Sequence, residues 1–271
     1  MIDFGNQEPD LSYSDTSFEF PESIHWTDLP DAETNISADI ENISWERIKS
    51  VYGVDKFSLW GSKGIEPQDA IQGQMGNCWL ITAAISMAES LPRISNMFEI
   101  QQINSASIYA AQMYLLGMPI TVIVDDYLPL DAYEENLTLY AKISEDSGLW
   151  GTLYEKFFAK FFGNYEMIDA GQGAHGIEVG TGSPFEHNIH KEVMDEKLTE
   201  ELWRKMVAGD RNGMMMTAGS YTGTGSDQDN NENGLPYNHA FSIMKVLTVN
   251  DSRGQERRLV QLRNPWGAGS E

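Results

Sequence analysis

The chain predicts an α+β fold with a mostly helical first half and a mostly antiparallel β second half. Three observations carry this. Apolar segments of helical period occupy residues 78–91 and 150–162, β-branched and apolar runs occupy 214–220, 240–249 and 258–263, and a glycine-rich stretch lies between the two groups. Residues 1–50 read as an acidic N-terminal arm, 51–170 as a helical unit and 171–271 as a β-rich unit.

Length and composition bound the function before any motif does. The 271 residues are 41% hydrophobic and 22% charged, ordinary for a globular protein that buries a sizeable core. The formal net charge of −23 excludes nucleic acid and anionic membranes as natural partners, because nothing offsets phosphate repulsion. An acidic balance suits a solubilising surface or carboxylate sites for Ca²⁺. The single cysteine, Cys78, excludes an internal disulfide framework and a Cys-rich zinc site, and suits a reducing compartment. The N-terminus is acidic and no apolar run approaches the roughly 18 residues of a membrane span, which makes the cytoplasm the expected location.

Twelve acids lie in residues 1–50, interrupted by Phe18, Phe20, Ile24, Trp26, Ile43 and Trp45. The pattern predicts an extended arm pinned by its aromatics, with a short helix over 36–43. Residues 44–52 read as a short helix, and 61–72 as loop broken by Gly61, Gly64 and Pro67. After Cys78 the run to Ala88 is apolar almost all round, a buried central helix stopped by Pro92. Residues 107–116 and 120–124 read as strands joined by a Gly117-Met118-Pro119 turn, with Asp125-Asp126 closing the second. Trp150, Leu153, Phe157, Phe158 and Phe161 form one helical face over 150–162. Five glycines between Ala170 and Ser183 suggest a crossover between the halves. Gly171-Gln172-Gly173-Ala174-His175-Gly176 has a phosphate-loop spacing, but no strand precedes it and no Lys-Ser or Lys-Thr follows. A helix over 198–208 leads into the strands, with a polar loop at 222–234 placed as a flap.

Chemistry converges on three residue types. Cys78 stands where a glycine-rich turn becomes a helix, so backbone N–H groups and the helix dipole favour its thiolate. Gln72, six residues earlier, can reach back as an oxyanion donor. A cysteine nucleophile needs a base and a group to orient it. His187 and His190 beside Glu186 lack a further zinc ligand and read as solvated surface. His239 opens a strand after a polar loop, so it can face a cleft from a rigid support; alone it would read as a satisfied histidine. Asn264, 25 residues later in Arg263-Asn264-Pro265-Trp266-Gly267, can orient an imidazole without adding charge, and Trp266 can shield the pair. Cys, His and Asn in this order, with the upstream Gln, are the parts of a thiol protease.

At these residues the chain resembles the protease core of the calpain family, a branch of the papain-like cysteine proteases. The matching stretches are Gln72-Gly73-x-x-Gly76-x-Cys78-Trp79-Leu80, Val124-Asp125-Asp126-x-Leu128-Pro129, Leu153-Tyr154-Glu155-Lys156-x-x-Ala159-Lys160-x-x-Gly163-x-Tyr165-Glu166, His239-Ala240-Phe241-Ser242 and Arg263-Asn264-Pro265-Trp266-Gly267. The likeness runs from about residue 16 to 267. It implies a papain-like core of two subdomains facing a cleft, with Cys78 as nucleophile, His239 as base, Asn264 as orienter and Gln72 as oxyanion donor. It also implies regulation by Ca²⁺, with the first half's ligands at Gly64 (through its carbonyl), Asp69 and Glu155. Two positions depart from the family: Asn77 replaces the usual aspartate before the cysteine, and Asn238 the usual glycine before the histidine. The family's second half continues past residue 271, so the resemblance also implies that the β-rich unit is truncated, or that further domains or a partner chain complete it. Protein substrates are the expected partners. A non-catalytic calpain-fold module in a larger assembly and a thiol-dependent transferase are the two other readings.

Overall fold

The computed structural model describes residues 12–24, 42–53, 56–134, 138–188, 195–220, 227 and 229–267. Helices and antiparallel strands mix as the sequence predicts. α2 (Cys78–Ala88) is the axis of the core: Leu80, Ala83, Ala84, Ile85 and Met87 are fully buried. Small and branched apolar residues on every face leave it no solvent side, and α3 (Leu91–Ser95) begins directly after it with Pro92 at its start. α4 (Trp150–Phe162) sets Trp150, Leu153, Tyr154, Phe157 and Phe158 into the same core.

Four sequence expectations change. Residues 44–52 are not one helix: β1 (Ile43–Arg47) precedes α1 (Ile48–Tyr52), and β1 pairs antiparallel with β4 (Tyr127–Asp131). Its pairing depends on a strand about 80 residues away, which local periodicity does not reveal. β2 (Ile108–Leu115) and β3 (Met118–Asp125) turn through Leu116 and Gly117, both with positive φ, so Met118 and Pro119 belong to the strand. The edge position of this two-stranded sheet tolerates the proline. α6 (Glu196–Arg211) is longer than expected, and its N-cap Asp195 accepts from the Leu198 N–H. The glycine-rich stretch is α5 (Gly173–Thr181), packed on α2. A Cβ on Gly176 would lie 2.7 Å from the Ala83 Cβ, and one on Gly180 3.1 Å from the Met87 sulfur. These glycines sit on one helix face and let two helices approach closely.

The arm is pinned where it is described. Phe18 packs on Trp45 and Tyr165, while Ile24 is fully buried. Beside them lies a buried charge network: Lys156 Nζ donates to Asp125 Oδ1 at 2.5 Å, Lys160 Nζ to Asp15 Oδ2 at 2.5 Å, and Arg47 to Asp126 at 2.5 Å. The expected helix over 36–43 lies, up to residue 41, outside the described residues, as do His190, residues 222–226 and residue 228. Glu186 pairs with Lys205 on the surface.

After α5 and α6, the described strands of the second half form a three-stranded antiparallel sheet, with β6 (Ala240–Asn250) between β5 (Thr217–Gly219) and β7 (Glu256–Arg263). It docks on α2 through hydrogen bonds as well as apolar contact. Ser242 Oγ donates to the Thr82 carbonyl at 2.8 Å, and Ser86 Oγ to the Met216 carbonyl at 3.0 Å. The start of β6 is thereby fixed against the start of α2.

Candidate active site

Cys78 is the first residue of α2, and His239 immediately precedes β6. The Ser242–Thr82 contact therefore sets thiol and imidazole on facing elements. The backbone N–H groups of Ala240 and Trp79 both reach the Cys78 sulfur, which places the nucleophile candidate beside the residue that follows His239. The thiol is half-buried. Burial raises its pKa above the ordinary thiol value, against those two N–H groups, and the carboxylates of Asp227 and Asp169 push the same way. The expected thiolate bias of a helix start is thus outweighed by desolvation.

His239 is buried and held on three sides. Its Nε2 lies 2.9 Å from Asn264 Oδ1. The Trp266 ring sits 4.3 Å from the imidazole centroid, and the Phe241 ring stands edge-on at 4.9 Å. The Trp266 backbone N–H also donates to Asn264 Oδ1, at 3.1 Å, which fixes that atom as the oxygen. An amide oxygen only accepts, so Nε2 carries the hydrogen and Nδ1 keeps a lone pair. Nδ1 is buried without a hydrogen-bond partner. Burial lowers the imidazole pKa, against the Asn264 hydrogen bond and the Asp227 charge, which raise it. Asn238 has φ +50, the left-handed conformation for which asparagine substitutes for glycine.

Gln72 bridges the two halves. Its backbone N–H donates to the Pro265 carbonyl at 2.8 Å, so the loop that leads to Cys78 is tied to the Asn264–Trp266 corner. Its side-chain Nε2 donates to the Met75 carbonyl at 2.7 Å, which uses one of two amide hydrogens. Asn77 does not cap α2 with its side chain; its Nδ2 donates to Glu155 Oε1 at 2.6 Å instead.

The three residues matched to a Ca²⁺ site lie in the first half. Asp69 accepts from the Glu66 N–H at 2.8 Å and from Trp150 Nε1 at 3.3 Å. Glu155 is buried at the core side of α4 and accepts from Asn77 and from the Ala141 N–H. Burial pushes its pKa up to about 7, against those hydrogen bonds and Lys142, so the carboxylate lacks a full counter-charge. Gly64 holds φ +89 with open space at its Cβ position. Two carboxylates and a carbonyl are the hard oxygens that Ca²⁺ takes, and a cation would supply the charge that Glu155 lacks. Among the described residues no three His, Cys, Asp or Glu side chains form a metal-holding group.

Sequence reading missed the residues that support this site. Asp169, Ala240 and Asp227 act on Cys78 through backbone contacts or charge across folded distances, and no local motif marks them.

A family profile described as calpain family cysteine protease matches residues 13–271. The chain belongs to the calpain family of cysteine proteases. This calpain-family chain is 31% identical over 215 residues to calpain clp-1 of Caenorhabditis elegans, covering 75% of itself and 25% of that protein. It is 28% identical over 235 residues to the calpain-2 catalytic subunit of Bos taurus, covering 85% of itself and 32% of the relative. Against the calpain-type cysteine protease ADL1 of Oryza sativa subsp. japonica it is 28% identical over 214 residues, 76% of this chain and 9% of that one. The chain thus spans between about a tenth and a third of the length of these curated relatives. No helix among its described residues is long and apolar enough to cross a membrane.

Proposed function

We propose that this chain is a calpain-type cysteine endopeptidase core with the two-subdomain architecture of papain-like enzymes, acting on protein substrates in the cytoplasm. The observation that carries the reading is the His239–Asn264 hydrogen bond, which leaves a buried imidazole lone pair at Nδ1. In the proposed mechanism Cys78 Sγ attacks the scissile carbonyl carbon while its proton passes to His239 Nδ1. The oxyanion that forms takes hydrogen bonds from the Cys78 N–H and the second amide hydrogen of Gln72. Collapse breaks the C–N bond as the imidazolium returns its proton to the leaving amine, and a thioester remains on Cys78. Water, deprotonated by His239, then attacks that carbonyl and frees the acid and the thiol. Asn264 keeps the imidazole tautomer throughout, and Trp266 limits water at the pair.

Ca²⁺ regulation belongs to this proposal, with Gly64, Asp69 and Glu155 as the residues that would hold the ion. Bound there, Ca²⁺ would supply positive charge against the buried Glu155 carboxylate. A second reading, a calpain-fold module without catalysis, is favoured by one observation: burial pushes the Cys78 thiol pKa up, against the thiolate that attacks most readily.

Labelling by a peptidyl chloromethyl ketone, followed by intact mass with and without Ca²⁺, separates the two. One label on the sole cysteine, lost in His239→Ala, supports the endopeptidase. Inertness of the wild type in both conditions overturns it in favour of the module.

A further inference from the structure

Cys78 is bracketed by a segment of four residues, Ile168 to Gly171, which leads into the glycine-rich stretch. On the C-terminal side of the nucleophile, Trp79 Nε1 donates to the Ile168 carbonyl at 2.9 Å. On the N-terminal side, the Ala170 N–H donates to the Gly76 carbonyl at 3.0 Å. The Gly76 N–H in turn donates to the Asp169 carboxylate. Gly76 is thus held through both its backbone groups, two residues before the thiol. The fit is close: a Cβ on Gly76 would lie 2.6 Å from Asp169 Oδ1, and a Cβ on Gly171 2.5 Å from the Trp79 ring. Ala170 accepts φ +63, a left-handed conformation that a Cβ disfavours, and its N–H is one of the bracketing donors.

We infer that Asp169 is a positioning residue for the nucleophile: its carboxylate anchors the Gly76 turn and sets the direction of the Cys78 thiol at the start of α2. The inference rests on Cys78 being the nucleophile. A short hydrogen-bonded bracket matters here because a misplacement of about 1 Å at a reacting atom costs on the order of a hundredfold in rate. Asp169 also adds negative charge at the thiol. The groups that face the sulfur are Asp169 and Asp227 with their charges and the Ala240 and Trp79 N–H groups with their dipoles; Glu166 and Asp227 face Asp169 itself. Position and charge are separable by substitution, because asparagine keeps the acceptor oxygen and loses the charge.

The test compares wild type, Asp169→Asn and Asp169→Ala, each alkylated at the sole cysteine and read by intact mass. Iodoacetamide reports only thiolate availability, whereas a peptidyl chloromethyl ketone also needs an aligned site. The expected result is that Asp169→Ala loses at least about tenfold in peptidyl-reagent rate while its iodoacetamide rate at high pH stays within about threefold. Asp169→Asn keeps the peptidyl rate, and its iodoacetamide midpoint moves to lower pH as the carboxylate repulsion goes. An Asp169→Ala variant that reacts with the peptidyl reagent as fast as Asp169→Asn overturns the inference. A wild type that takes iodoacetamide but not the peptidyl reagent sinks the endopeptidase reading instead. Hydrogen exchange at the Gly76 amide then decides the bracket: protection lost in Asp169→Ala and kept in Asp169→Asn supports it, and protection unchanged in Asp169→Ala overturns it.

Discussion

His239 Nε2 and Asn264 Oδ1 lie 2.9 Å apart, and the same oxygen accepts the Trp266 N–H at 3.1 Å. Two donors converge on one amide oxygen, so the carboxamide has a single orientation and the imidazole a single tautomer. The main chain supplies the second donor two residues along, which makes Asn264-Pro265-Trp266 a self-fixing unit. Its Pro265 carbonyl then accepts from the Gln72 N–H, and the second half's contribution reaches the loop that leads to Cys78 in the first.

Removing that oxygen is expected to cost activity without loss of fold. In Asn264→Ala the imidazole can adopt either tautomer, and the Trp266 N–H loses its acceptor. Peptidyl-reagent labelling of Cys78 should fall on the order of a hundredfold, the usual scale of one acid–base contribution. Asn264→Gln, which displaces the oxygen by one methylene, should fall between the two. Labelling of Asn264→Ala at the wild-type rate, with an unchanged melting temperature, would refute the orienting role.

The pH dependence follows from burial. The His239 pKa is lowered, so the free base persists at pH values where an exposed imidazole is protonated. The acid limb of the peptidyl-labelling rate should therefore lie below about 6.5, the unperturbed imidazole value. The Cys78 thiol is raised, so iodoacetamide alkylation should have its midpoint above about 8.5, the ordinary thiol value. Stability carries the same sign. The unfolded histidine binds protons more readily than the folded one, so the contribution from neutral His239 is present above about pH 6.5 and is lost as pH falls below it. Rate profiles and urea titrations from pH 5 to 10 check both. An acid limb above pH 7 would contradict the buried neutral imidazole.

Cys78, His239 and Asn264 were legible as candidates because each is a rare residue in a strong local context: one cysteine at a loop-to-helix junction, one histidine at a strand start, one Asn-Pro-Trp. α2 and α4 were legible because helical period is a local property. β1 was not, since Trp45 and Arg47 become strand residues only through pairing with Tyr127 and Pro129 and through the Arg47–Asp126 ion pair. α5 was misread because glycine is a breaker in isolation and a packing residue against a neighbouring helix. The upward push on the thiol's pKa was not legible either: sequence shows the helix start, whereas the burial that outweighs it is a property of the folded chain.

Ca²⁺ should stabilise the folded chain through Asp69 and Glu155. A ligand at a hundred times its dissociation constant adds about 2.7 kcal/mol, a shift of several degrees in melting temperature. The expected outcome is a Ca²⁺-dependent shift in the wild type that is absent in Asp69→Ala and in Glu155→Gln, with no comparable shift from Mg²⁺. Identical melting curves for the wild type with and without Ca²⁺ remove the site from the proposal.

The arm's anchorage is expected to be a stability device. Lys156 is fully buried and donates to Asp125 Oδ1 and to the Asp125 and Tyr127 carbonyls. Lys156→Met leaves Asp125 buried without that cation, a loss of roughly 3–5 kcal/mol. The double variant Lys156→Met/Asp125→Asn removes both charges and should recover part of that loss. Urea unfolding of the two variants checks this. A single variant within about 1 kcal/mol of the wild type would show that the network contributes little.

Gly176 tests the reading of the glycine-rich stretch as a packing face. The position of its missing Cβ is 2.7 Å from the Ala83 Cβ, with Trp79 and Leu80 atoms at 3.5 and 3.6 Å, so no flexible side-chain end can yield. Gly176→Ala must push α5 off α2, an overpacking cost of roughly 1–3 kcal/mol that exceeds the gain in helix propensity of about 1 kcal/mol. Ala83→Gly removes the opposing methyl, so the double variant should be more stable than Gly176→Ala alone. Because α2 begins at Cys78, the single variant should also slow peptidyl labelling, and the double variant should restore the rate. If Gly176→Ala is as stable as the wild type, α5 does not seat on α2 at this distance.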